Sequence, residues 1–211
     1  MGDAVHIWSY FHDYSELDEQ ELLGSDELTR ANNFFFQRDR NRFIKDRINL
    51  KKILSQYVRS NPKDMDVSIK ENGKPYLKNS KIEFNISHSE DLSVYAVSKN
   101  EIGVDIEKIR EIPNIEGIVK YFFTEKEAGQ VKFSEGKQRN RIFLKIWTQK
   151  EAVGKMLGIG LGHLDENNSK YYVEDISPHN YYVGALAIGR MNLKLLMGAN
   201  FNLFVRASSD M

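Results

Sequence analysis

The residues with the clearest chemical potential are Asp105 and Glu107, two carboxylates in the segment Ile102–Glu107. Apolar and acidic residues alternate there, which predicts a strand with Val104 and Ile106 toward the core. Asp105 and Glu107 would then share the other face, about 7 Å apart along the strand. Carboxylates at this spacing repel each other unless a cation or water screens them, and oxygen ligands suit Mg²⁺ and Mn²⁺. The pattern indicates a hard-cation site, with an ordinary solvent-facing strand as the alternative.

A second acid and a lysine stand four residues apart, at Glu151 and Lys155. The apolar spacing around them predicts an amphipathic helix over Arg139–Leu157, and residues four apart lie on one face of a helix. Glu151 could supply a third metal ligand while Lys155 contacts a phosphate beside it. The alternatives are a surface ion pair and a capping box formed by Thr148 and Glu151.

Two further segments carry polar groups at predicted strand ends and turns. In Phe84–Ser89, a predicted strand ends in the hydroxyls of Ser87 and Ser89 and the imidazole of His88, which could hold a phosphate together with backbone N–H groups. In Asn72–Pro75, the Asn-Gly pair predicts a hairpin turn with Lys74 beside it. A polar turn with a satisfied histidine and a hairpin with an exposed lysine are the plainer interpretations of these two segments.

Charge is balanced over the whole chain, with 30 basic and 30 acidic residues, but it is uneven along it. Residues 1–27 carry eight acids and no Lys or Arg, whereas residues 28–63 carry ten Lys or Arg and two acids. The neutral total argues against a nucleic-acid-binding protein. The basic segment favours either one anionic ligand or a solvated helix face.

Composition excludes several classes of protein. The 211 residues include no cysteine, so disulfide frameworks, cysteine-ligated zinc and thiol nucleophiles are excluded. No run of 18 apolar residues is present to form a transmembrane helix, and the first residues lack the pattern of a secretory signal. We therefore expect a cytoplasmic protein without a membrane partner.

The elements that must position these residues fall into two similar sets. In the first set, an edge strand is predicted over Val5–Tyr14. A helical region over residues 25–58 is capped by Ser25 or Asp26, breaks near 37–39 and is ended by Pro62. Short strands are predicted at Val67–Ile69, Tyr76–Leu77, Glu83–Ser87, Leu92–Ser98 and Ile102–Glu107.

The second set follows a predicted boundary near Pro113. Helices are predicted at Ile115–Tyr121, Thr124–Lys132 and Arg139–Leu157, and Thr124 with Glu127 has the spacing of a capping box. Glycines follow at 158, 160 and 162, and strands are predicted at Tyr171–Val173, Tyr181–Ile188, Leu193–Met197 and Phe201–Val205. Each set is a helical region followed by strands, which indicates an α+β fold.

Taken jointly, these features suit an anionic ligand that carries a metal ion. Phosphoryl transfer needs a cation to neutralise charge, basic groups on the phosphate oxygens and a positioned hydroxyl nucleophile. A metal-dependent nuclease is one alternative, although its common acid–lysine motif lies on a strand with a period of two. A non-catalytic nucleotide-binding module is the other, and it would need no triad of Asp105, Glu107 and Glu151.

The motifs also resemble, as an ordered set, those of the Sfp-type 4′-phosphopantetheinyl transferases. That family's motifs read approximately N-G-K-P, F-N-(I/L)-S-H-S, (I/V)-G-(I/V)-D-(I/V)-E, W-(S/T)-x-K-E-(A/S)-x-x-K and G-x-G-L. They stand here at Asn72–Pro75, Phe84–Ser89, Ile102–Glu107, Trp147–Lys155 and Gly158–Leu161. Residues 27–31 and the pair Arg42-Phe43 are similar to the family's first helical region, so the resemblance spans about residues 25–205.

The resemblance implies an enzyme that moves the phosphopantetheine arm of coenzyme A to a serine of an apo acyl or peptidyl carrier protein. The by-product is adenosine 3′,5′-bisphosphate. The implied fold has two similar α/β halves related by a pseudo-two-fold, with the active site in the cleft between them. We divide the chain accordingly into residues 1–110 and 111–211, with a monomer expected because one chain supplies both halves.

The resemblance also implies a role for each matching residue. Asp105, Glu107 and Glu151 match the metal-binding acids, and Glu151 is a candidate base for the carrier serine. Lys155 matches a lysine that holds a phosphate. Mg²⁺ is the expected metal and Mn²⁺ also fits the oxygen ligands.

The remaining matches concern coenzyme A and the carrier. Ser87 and His88 match the family's phosphate-binding cluster. The loop along coenzyme A is matched by Gly73, Lys74 and Pro75. Arg42 matches an arginine near the 3′-phosphate, and Arg30 is a second candidate for that contact. Glu127 stands where some members carry another proposed acid, in competition with its capping role. Tyr121-Phe122-Phe123 is a candidate carrier-docking surface, with burial in the core as the alternative.

Overall fold

The computed structural model describes residues 4–13, 17, 19–161 and 171–189 and the backbone of 204–207. Within them the elements of the first half are β1 (His6–Phe11), α1 (Ser25–Asn32), α2 (Gln37–Val58), β2 (Val67–Ile69), β3 (Pro75–Leu77), β4 (Glu83–Ser89), β5 (Leu92–Ser98) and β6 (Ile102–Lys108). Those of the second half are α3 (Ile115–Phe122), α4 (Glu125–Lys132), α5 (Gly136–Leu157), β7 (Tyr171–Ile176), β8 (Tyr182–Gly189) and β9 (Phe204–Ala207). Helices and largely antiparallel strands make an α+β fold, as predicted.

Two sheets and one hairpin organise the strands. The first sheet has the order β4-β5-β1-β9, the second has the order β6-β8-β7, and β2 pairs only with β3. β1 was predicted to be an edge strand, and this is wrong. It lies between β5, to which it is antiparallel, and β9, to which it is parallel. The apolar alternation of a strand does not reveal a partner supplied nearly 200 residues later.

The two sheets pack face to face, and each carries a long helix on its outer face. Alternate residues of β1 and β5 meet alternate residues of β6 and β8 in a buried core between the sheets. The other face of the first sheet packs against Leu50, Ile53 and Leu54 of α2. The other face of the second sheet packs against Ala152, Val153 and Met156 of α5. The order of layers is therefore helix, sheet, sheet, helix.

Side chains of β4, and not its backbone carbonyl groups, accept hydrogen bonds from the backbone N–H groups of β6. Asn85 Oδ1 accepts a hydrogen bond from the N–H of Val104 at 2.9 Å, and Ser87 Oγ accepts one from Ile106 at 3.2 Å. Ser89 Oγ accepts a third, from the N–H of Lys108, at 3.0 Å. The acceptors are two residues apart because alternate residues of a strand share one face. Side chains thereby satisfy buried N–H groups at the edge of β6.

Several predicted boundaries shift by a few residues. The first helical region breaks at residues 33–36, just before the predicted position. The N-cap of α1 is Gly24, whose N–H donates to Glu27 Oε2, so neither Ser25 nor Asp26 is the cap. α2 ends at Val58 with Arg59 in the left-handed region, before Pro62 is reached. Helix ends depend on such local geometry, which apolar spacing does not record.

The predicted capping box of α4 is confirmed. Thr124 Oγ1 accepts a hydrogen bond from the N–H of Glu127, and Glu127 Oε2 accepts one from the N–H of Thr124. The predicted Asn-Gly hairpin is also confirmed, with Gly73 at φ 83°. Gly162 and the strand predicted at Leu193–Met197 lie outside the described residues. In the part of the chain that the structure describes, no helix has the length and apolar character needed to cross a bilayer.

β6 belongs to the first predicted half, but it pairs with β8 of the second. Its close approach to α5 depends on a glycine. A Cβ built on Gly103 would lie 2.0 Å from the carbonyl oxygen of Ala152 and 2.5 Å from the backbone N of Met156. Backbone atoms of a helix cannot move aside cheaply, so only glycine fits at this position.

We expect Gly103→Ala to lower the free energy of unfolding by about 1–3 kcal/mol or more, because the added methyl group overpacks the contact between β6 and α5. The matched control is Gly129→Ala in α4, where the nearest atom to the new Cβ is 4.0 Å away. Replacing a glycine inside a helix should leave stability unchanged or raise it by up to about 1 kcal/mol. Urea unfolding of both variants measures the difference, and equal effects would contradict the tight contact.

Candidate active site

Asp105 is a buried carboxylate held on two sides. It lies on the face of β6 that is turned toward α5, and its side chain is only 8% exposed. Ser87 Oγ donates to Asp105 Oδ1 at 2.8 Å, and Lys155 Nζ lies 2.7 Å from the same oxygen. Burial raises the pKa of Asp105, while Lys155 and Ser87 act to lower it. The sequence predicted the face that Asp105 occupies but not its burial.

Glu107 lies two residues further along the same face and is more accessible. Ser89 Oγ donates to Glu107 Oε2 at 3.0 Å, and Arg110 Nη1 lies 2.7 Å from that oxygen. The two acids of β6 thus have parallel environments, each with one serine of β4 and one cation. The carboxylates are neutralised by the protein's own basic side chains.

Glu151 and Lys155 lie one turn apart on α5 and face β6, so the predicted helical relation is confirmed. Lys155 also donates to Ser87 Oγ at 3.1 Å, which joins β4, β6 and α5 at one point. Burial raises the pKa of Glu151, and the negative charges of Asp105 and Glu107 raise it further while Lys155 lowers it. The structure therefore brings all three acids and the lysine into one electrostatic environment.

The carboxylates fit a divalent cation by their chemistry, since oxygen donors suit Mg²⁺ and Mn²⁺. The repulsion that raises the pKa of Glu151 is also what a cation would relieve. Among the residues that the structure describes, however, no group of three His, Cys, Asp or Glu side chains is placed close enough to hold a metal ion. The metal role of Asp105, Glu107 and Glu151 stays a prediction.

A cavity of about 440 Å³ opens beside Glu151 and Lys155. Its walls come from the hairpin loop between β2 and β3, from β4 and from the end of α5, which belong to both predicted halves. The lining residues are Asn72, Gly73, Lys74, Pro75, Asn85, Ile86, Glu151, Gly154, Lys155, Gly158, Ile159 and Gly160. Four of the five motifs from the sequence analysis therefore meet around one space, and the fifth, Ile102–Glu107, adjoins it through Asp105.

Lys74 lines this cavity, but its ammonium group points into the protein. Its Nζ donates to the carbonyl oxygen of Met156 at 3.0 Å and lies 3.5 Å from Glu83 Oε2. Burial lowers the pKa of Lys74, against the opposing effect of Glu83. The prediction of an exposed lysine is wrong, because this side chain ties the hairpin loop to the last turn of α5. A Cβ on Gly158 would collide with Asn72, which shows how closely the loop and the helix end approach.

Ser87 and His88 do not form the single polar cluster that the sequence suggested. β4 continues through Ser89 instead of ending at Ser87, so neighbouring side chains point to opposite faces. Ser87 faces Asp105 and Lys155 and is buried, whereas His88 is half-buried and faces α2. The hydroxyl of Ser87 is already engaged with Asp105, Ile106 and Lys155.

His88 lies among charged groups from α2 and α5. Its Nδ1 is 3.9 Å from Asp46 Oδ2. Burial lowers the pKa of His88, and the positive charges of Arg42 and Lys155 lower it further, whereas Asp46 acts to raise it. Arg42 pairs with Asp39 at 2.8 Å and remains partly exposed. Arg42 and Lys155 thus give this side of the site positive charge, and the net effect on His88 is a lowered pKa.

Arg30 is not brought to this site. It lines a separate cavity of about 450 Å³ between α1, α2 and β2, and its guanidinium carbon lies 5.2 Å from the ring centre of Phe43. A buried ion pair between Glu27 and Lys51, at 2.7 Å, also lines that cavity. Because Arg30 lies on the face of α1 turned toward this second cavity, its predicted contact with the 3′-phosphate has no support from the geometry.

The remaining candidates divide between surface and core. Glu127 accepts the capping bond from Thr124 and pairs with Lys150 at 2.9 Å, so its carboxylate is engaged in structure. In the segment proposed for carrier docking, Tyr121 is 77% exposed and Phe122 is partly exposed. Phe123 is packed instead, with its ring stacked on that of Phe143. The docking prediction therefore applies to the first two residues only.

Sequence reasoning missed two contributors. Asp46 of α2 is surrounded by His12, Ser93, Tyr95 and His88, which come from three other parts of the chain. Asn85 extends the line of side chains that holds β6, beside Ser87 and Ser89 of the predicted polar segment. The period of two in Asn85, Ser87 and Ser89 was a visible signal for a polar strand face. Asp46, one of two acids in a basic helix, was a weaker signal.

Two family models match the chain. Residues 13–100 match the model described as 4′-phosphopantetheinyl transferase, N-terminal, and residues 101–191 match the model of the 4′-phosphopantetheinyl transferase superfamily. The two matches meet between β5 and β6.

Curated relatives carry names of the same kind. The 4′-phosphopantetheinyl transferase HetI of Nostoc sp. is 36% identical over 79% of this chain and 73% of its own length. The 4′-phosphopantetheinyl transferase Sfp of Bacillus subtilis is 27% identical over 66% of this chain and 62% of its own. The L-aminoadipate-semialdehyde dehydrogenase-phosphopantetheinyl transferase of Mus musculus is 27% identical over 75% of this chain and 54% of its own.

We expect Ser87→Ala to destabilise the fold by about 1–3 kcal/mol, because it leaves the buried N–H of Ile106 unpaired and removes a donor from Asp105. The control is Ser134→Ala, which removes a near-surface hydroxyl that donates to the carbonyl oxygen of Gln130. This control should stay within about 0.5 kcal/mol of the parent. Free energies of unfolding in urea provide the measurement, and a Ser87→Ala variant as stable as the control would argue against the role of Ser87.

Proposed function

The chain belongs to the 4′-phosphopantetheinyl transferase superfamily, and from this premise we propose its reaction and the residues that perform it. It is a transferase of that class, with coenzyme A as the substrate that supplies the phosphopantetheine arm. We propose that the acceptor is a serine hydroxyl of an apo acyl or peptidyl carrier protein. The reaction releases adenosine 3′,5′-bisphosphate and depends on a divalent cation.

The strongest support for this proposal is the position of Lys155 beside Asp105 and Glu151. Lys155 of α5 lies 2.7 Å from Asp105 of β6, with Glu151 one turn before it, at the wall of the cavity beside the hairpin loop. An acidic group and a basic group are thus held together in a partly buried environment. Charges placed in advance in such an environment stabilise a phosphoryl-transfer transition state without reorganising.

We propose that Asp105, Glu107 and Glu151 hold Mg²⁺, with Mn²⁺ as an acceptable substitute. When bound, the ion would neutralise charge on the pyrophosphate of coenzyme A. Lys155 and Arg110 pair with Asp105 and Glu107 in the structure. Because these cations compete for the same carboxylate oxygens, Lys155 would become available to a phosphate once another cation takes over its partner.

Glu151 is the proposed base. Burial is the largest cause of its raised pKa, and a carboxylate with a raised pKa accepts a proton better than an ordinary one. It takes the proton of the carrier serine while the serine oxygen forms a bond to the β-phosphorus of coenzyme A. The bond from that phosphorus to the bridging oxygen breaks, and adenosine 3′,5′-bisphosphate leaves with the electron pair. Lys155 stabilises negative charge on the phosphate oxygens, and no covalent enzyme intermediate is needed.

Coenzyme A is proposed to lie between the hairpin loop and the cationic side of the site. Gly73, Lys74 and Pro75 line the cavity and offer backbone groups, since the ammonium of Lys74 is engaged elsewhere. Arg42 supplies positive charge for a phosphate group, and His88 supplies an imidazole that can donate a hydrogen bond to it. Ser87 is assigned a positioning role because its hydroxyl holds Asp105 and Lys155.

The two-half arrangement is part of the proposal. In each half a helix of 22 residues packs on the outer face of a sheet, α2 in the first and α5 in the second. This parallel construction supports two related halves with a pseudo-two-fold and the active site at their junction. A monomer would then suffice to build the site.

The carrier is proposed to approach along α3. Tyr121 and Phe122 are exposed there, and the ammonium group of Lys120 lies 5.8 Å from the ring centre of Tyr121. An aromatic surface beside a positive charge suits an acidic helix of a carrier protein, because apolar contact and charge complementarity act together.

The alternative of a metal-dependent nuclease loses support from the same helix. Glu151 and Lys155 are four residues apart on α5, whereas the nuclease motif uses two residues of one strand. A non-catalytic binding module would leave the paired acids and lysine of the site without a role.

We expect the protein to add one phosphopantetheine to an apo carrier protein in the presence of coenzyme A and Mg²⁺, as measured by intact-protein mass spectrometry. EDTA should abolish the gain in mass, and excess Mg²⁺ should restore it. Transfer that persists in EDTA would contradict the cation requirement. Absence of transfer to several acyl and peptidyl carriers would contradict the proposed acceptor.

Lys155→Met should lower kcat/KM by about 100-fold or more, because a preorganised charge at the reacting phosphate is lost. Lys145→Met is the matched control, since Lys145 lies on the same helix and pairs with Asp175 at the same distance of 2.7 Å. The control should stay within about twofold of the parent. Equal losses in the two variants would remove Lys155 from the reaction.

A further inference from the structure

Asp46 is a mostly buried carboxylate behind His88. It belongs to α2, and its side chain is 13% exposed. Ser93 Oγ and Tyr95 OH, both from β5, donate to Asp46 Oδ1 at 2.6 Å and 2.8 Å. His12, just after β1, places its Nε2 3.2 Å from the same oxygen. The second oxygen, Oδ2, faces His88 Nδ1 at 3.9 Å.

This environment keeps Asp46 ionised. Burial by itself would raise the pKa of Asp46, but the combined effects of His12, Ser93 and Tyr95 outweigh burial and lower it. Tyr95 remains a donor, because burial and the charge of Asp46 raise its pKa well above the ordinary value. A fixed negative charge therefore stands behind the imidazole. It is held by two hydroxyl donors, Ser93 and Tyr95, with His12 Nε2 beside them.

His88 needs such a charge. The other charged groups that face it are Arg42 and Asp39 of α2 and Lys155 of α5. Burial, Arg42 and Lys155 all disfavour its protonated form, and Asp46 is the main group that favours it. A histidine among cations binds a phosphate best when protonated, since both ring nitrogens then donate.

We propose that Asp46 is a positioning residue for coenzyme A: it orients His88 with Nδ1 directed inward and Nε2 directed to the ligand, and it favours the protonated form of His88 when a phosphate binds. This inference rests on the proposed function, in which His88 contacts a phosphate of coenzyme A. Ser93 and Tyr95 of β5 and His12, just after the adjacent strand β1, in turn surround Asp46, so that one sheet determines how the His88 side chain is presented.

The physical basis is a pairing of charges across the edge of the site. A bound phosphate places negative charge on the exposed side of the imidazole, and Asp46 places negative charge on its buried side. The imidazolium between them is stabilised from both sides, as in carboxylate–histidine pairs that fix the orientation and tautomer of the ring. Without Asp46, the ligand would have to protonate and orient His88 alone.

The test compares Asp46→Asn with the parent enzyme by measuring kcat and KM for coenzyme A between about pH 5 and 8, the range in which histidine titrates. Asparagine keeps an acceptor for Ser93 and Tyr95 but removes the charge. We expect KM to rise about tenfold where His88 is protonated in the parent but neutral in the variant, with kcat nearly unchanged. At pH values below the pKa of His88 in both proteins, the imidazole is protonated in each, and the KM values of the parent and the variant should converge.

Two controls separate positioning from a general loss of structure. Asp66→Asn removes a carboxylate that pairs with Lys78 at 2.8 Å outside the site, and its KM profile should match that of the parent. In a double-mutant cycle with His88→Gln, Asp46→Asn should have little further effect on KM, because the imidazole through which it acts is absent. Thermal melting of each variant checks that it is folded.

Each outcome is decisive for one claim. A pH-dependent rise in KM that disappears in the His88→Gln background supports the inference. An equal rise in both backgrounds, a pH-independent rise, or an unchanged KM in a parent enzyme that transfers phosphopantetheine overturns the inference alone. A parent enzyme with no transfer to any carrier overturns the proposed function instead, and the inference with it.

Discussion

The contact among Ser87, Asp105 and Lys155 connects the parts of the molecule on which the site depends. One hydroxyl donates to the acid of β6, accepts from the backbone of the same strand and accepts from the lysine of α5. Because β4 belongs to the first sheet and β6 to the second, this contact also aligns the two sheets. The placement of the charged residues and the junction of the two layers are therefore one physical arrangement.

Holding charge in this position has a cost, which the protein offsets locally. Burial raises the pKa of Asp105 and of Glu151, so their ionised forms are less favoured than in water. Lys155 and the serine of β4 compensate at Asp105, and Arg110 and Ser89 supply similar partners at Glu107. Such arrangements are common where proteins carry out chemistry, because charges fixed in advance do not have to reorganise during the reaction.

Close packing fixes the distances at which these charges meet. Gly103 lets the backbone of α5 lie directly on β6, and a Cβ on Gly184 of β8 would lie 2.7 Å from the carbonyl oxygen of Asp105. On the opposite face of β8, the small side chains of Ala185 and Ala187 pack against Ala152, Val153 and Met156 of α5. The helix that carries Glu151 and Lys155 is therefore seated on the strand that carries Asp105 with little space for adjustment.

The sequence by itself determined which residues could do chemistry and the local form of their elements. Period-two alternation placed Asp105 and Glu107 on one face of a strand, and the spacing of four placed Glu151 and Lys155 on one face of a helix. The order of the motifs also identified the family. These properties depend on residues only a few positions apart, so they can be predicted from the amino-acid sequence.

Only the tertiary structure decided which groups are engaged with each other. It moved Arg30 to a separate cavity, turned the ammonium of Lys74 inward, and separated Ser87 from His88 by continuing β4 two residues further. It placed β1 inside a sheet and gathered His12, Ser93 and Tyr95 around Asp46. Each of these outcomes depends on contacts between distant segments, and those contacts are set by the packing of sheets and helices, which local sequence patterns do not encode.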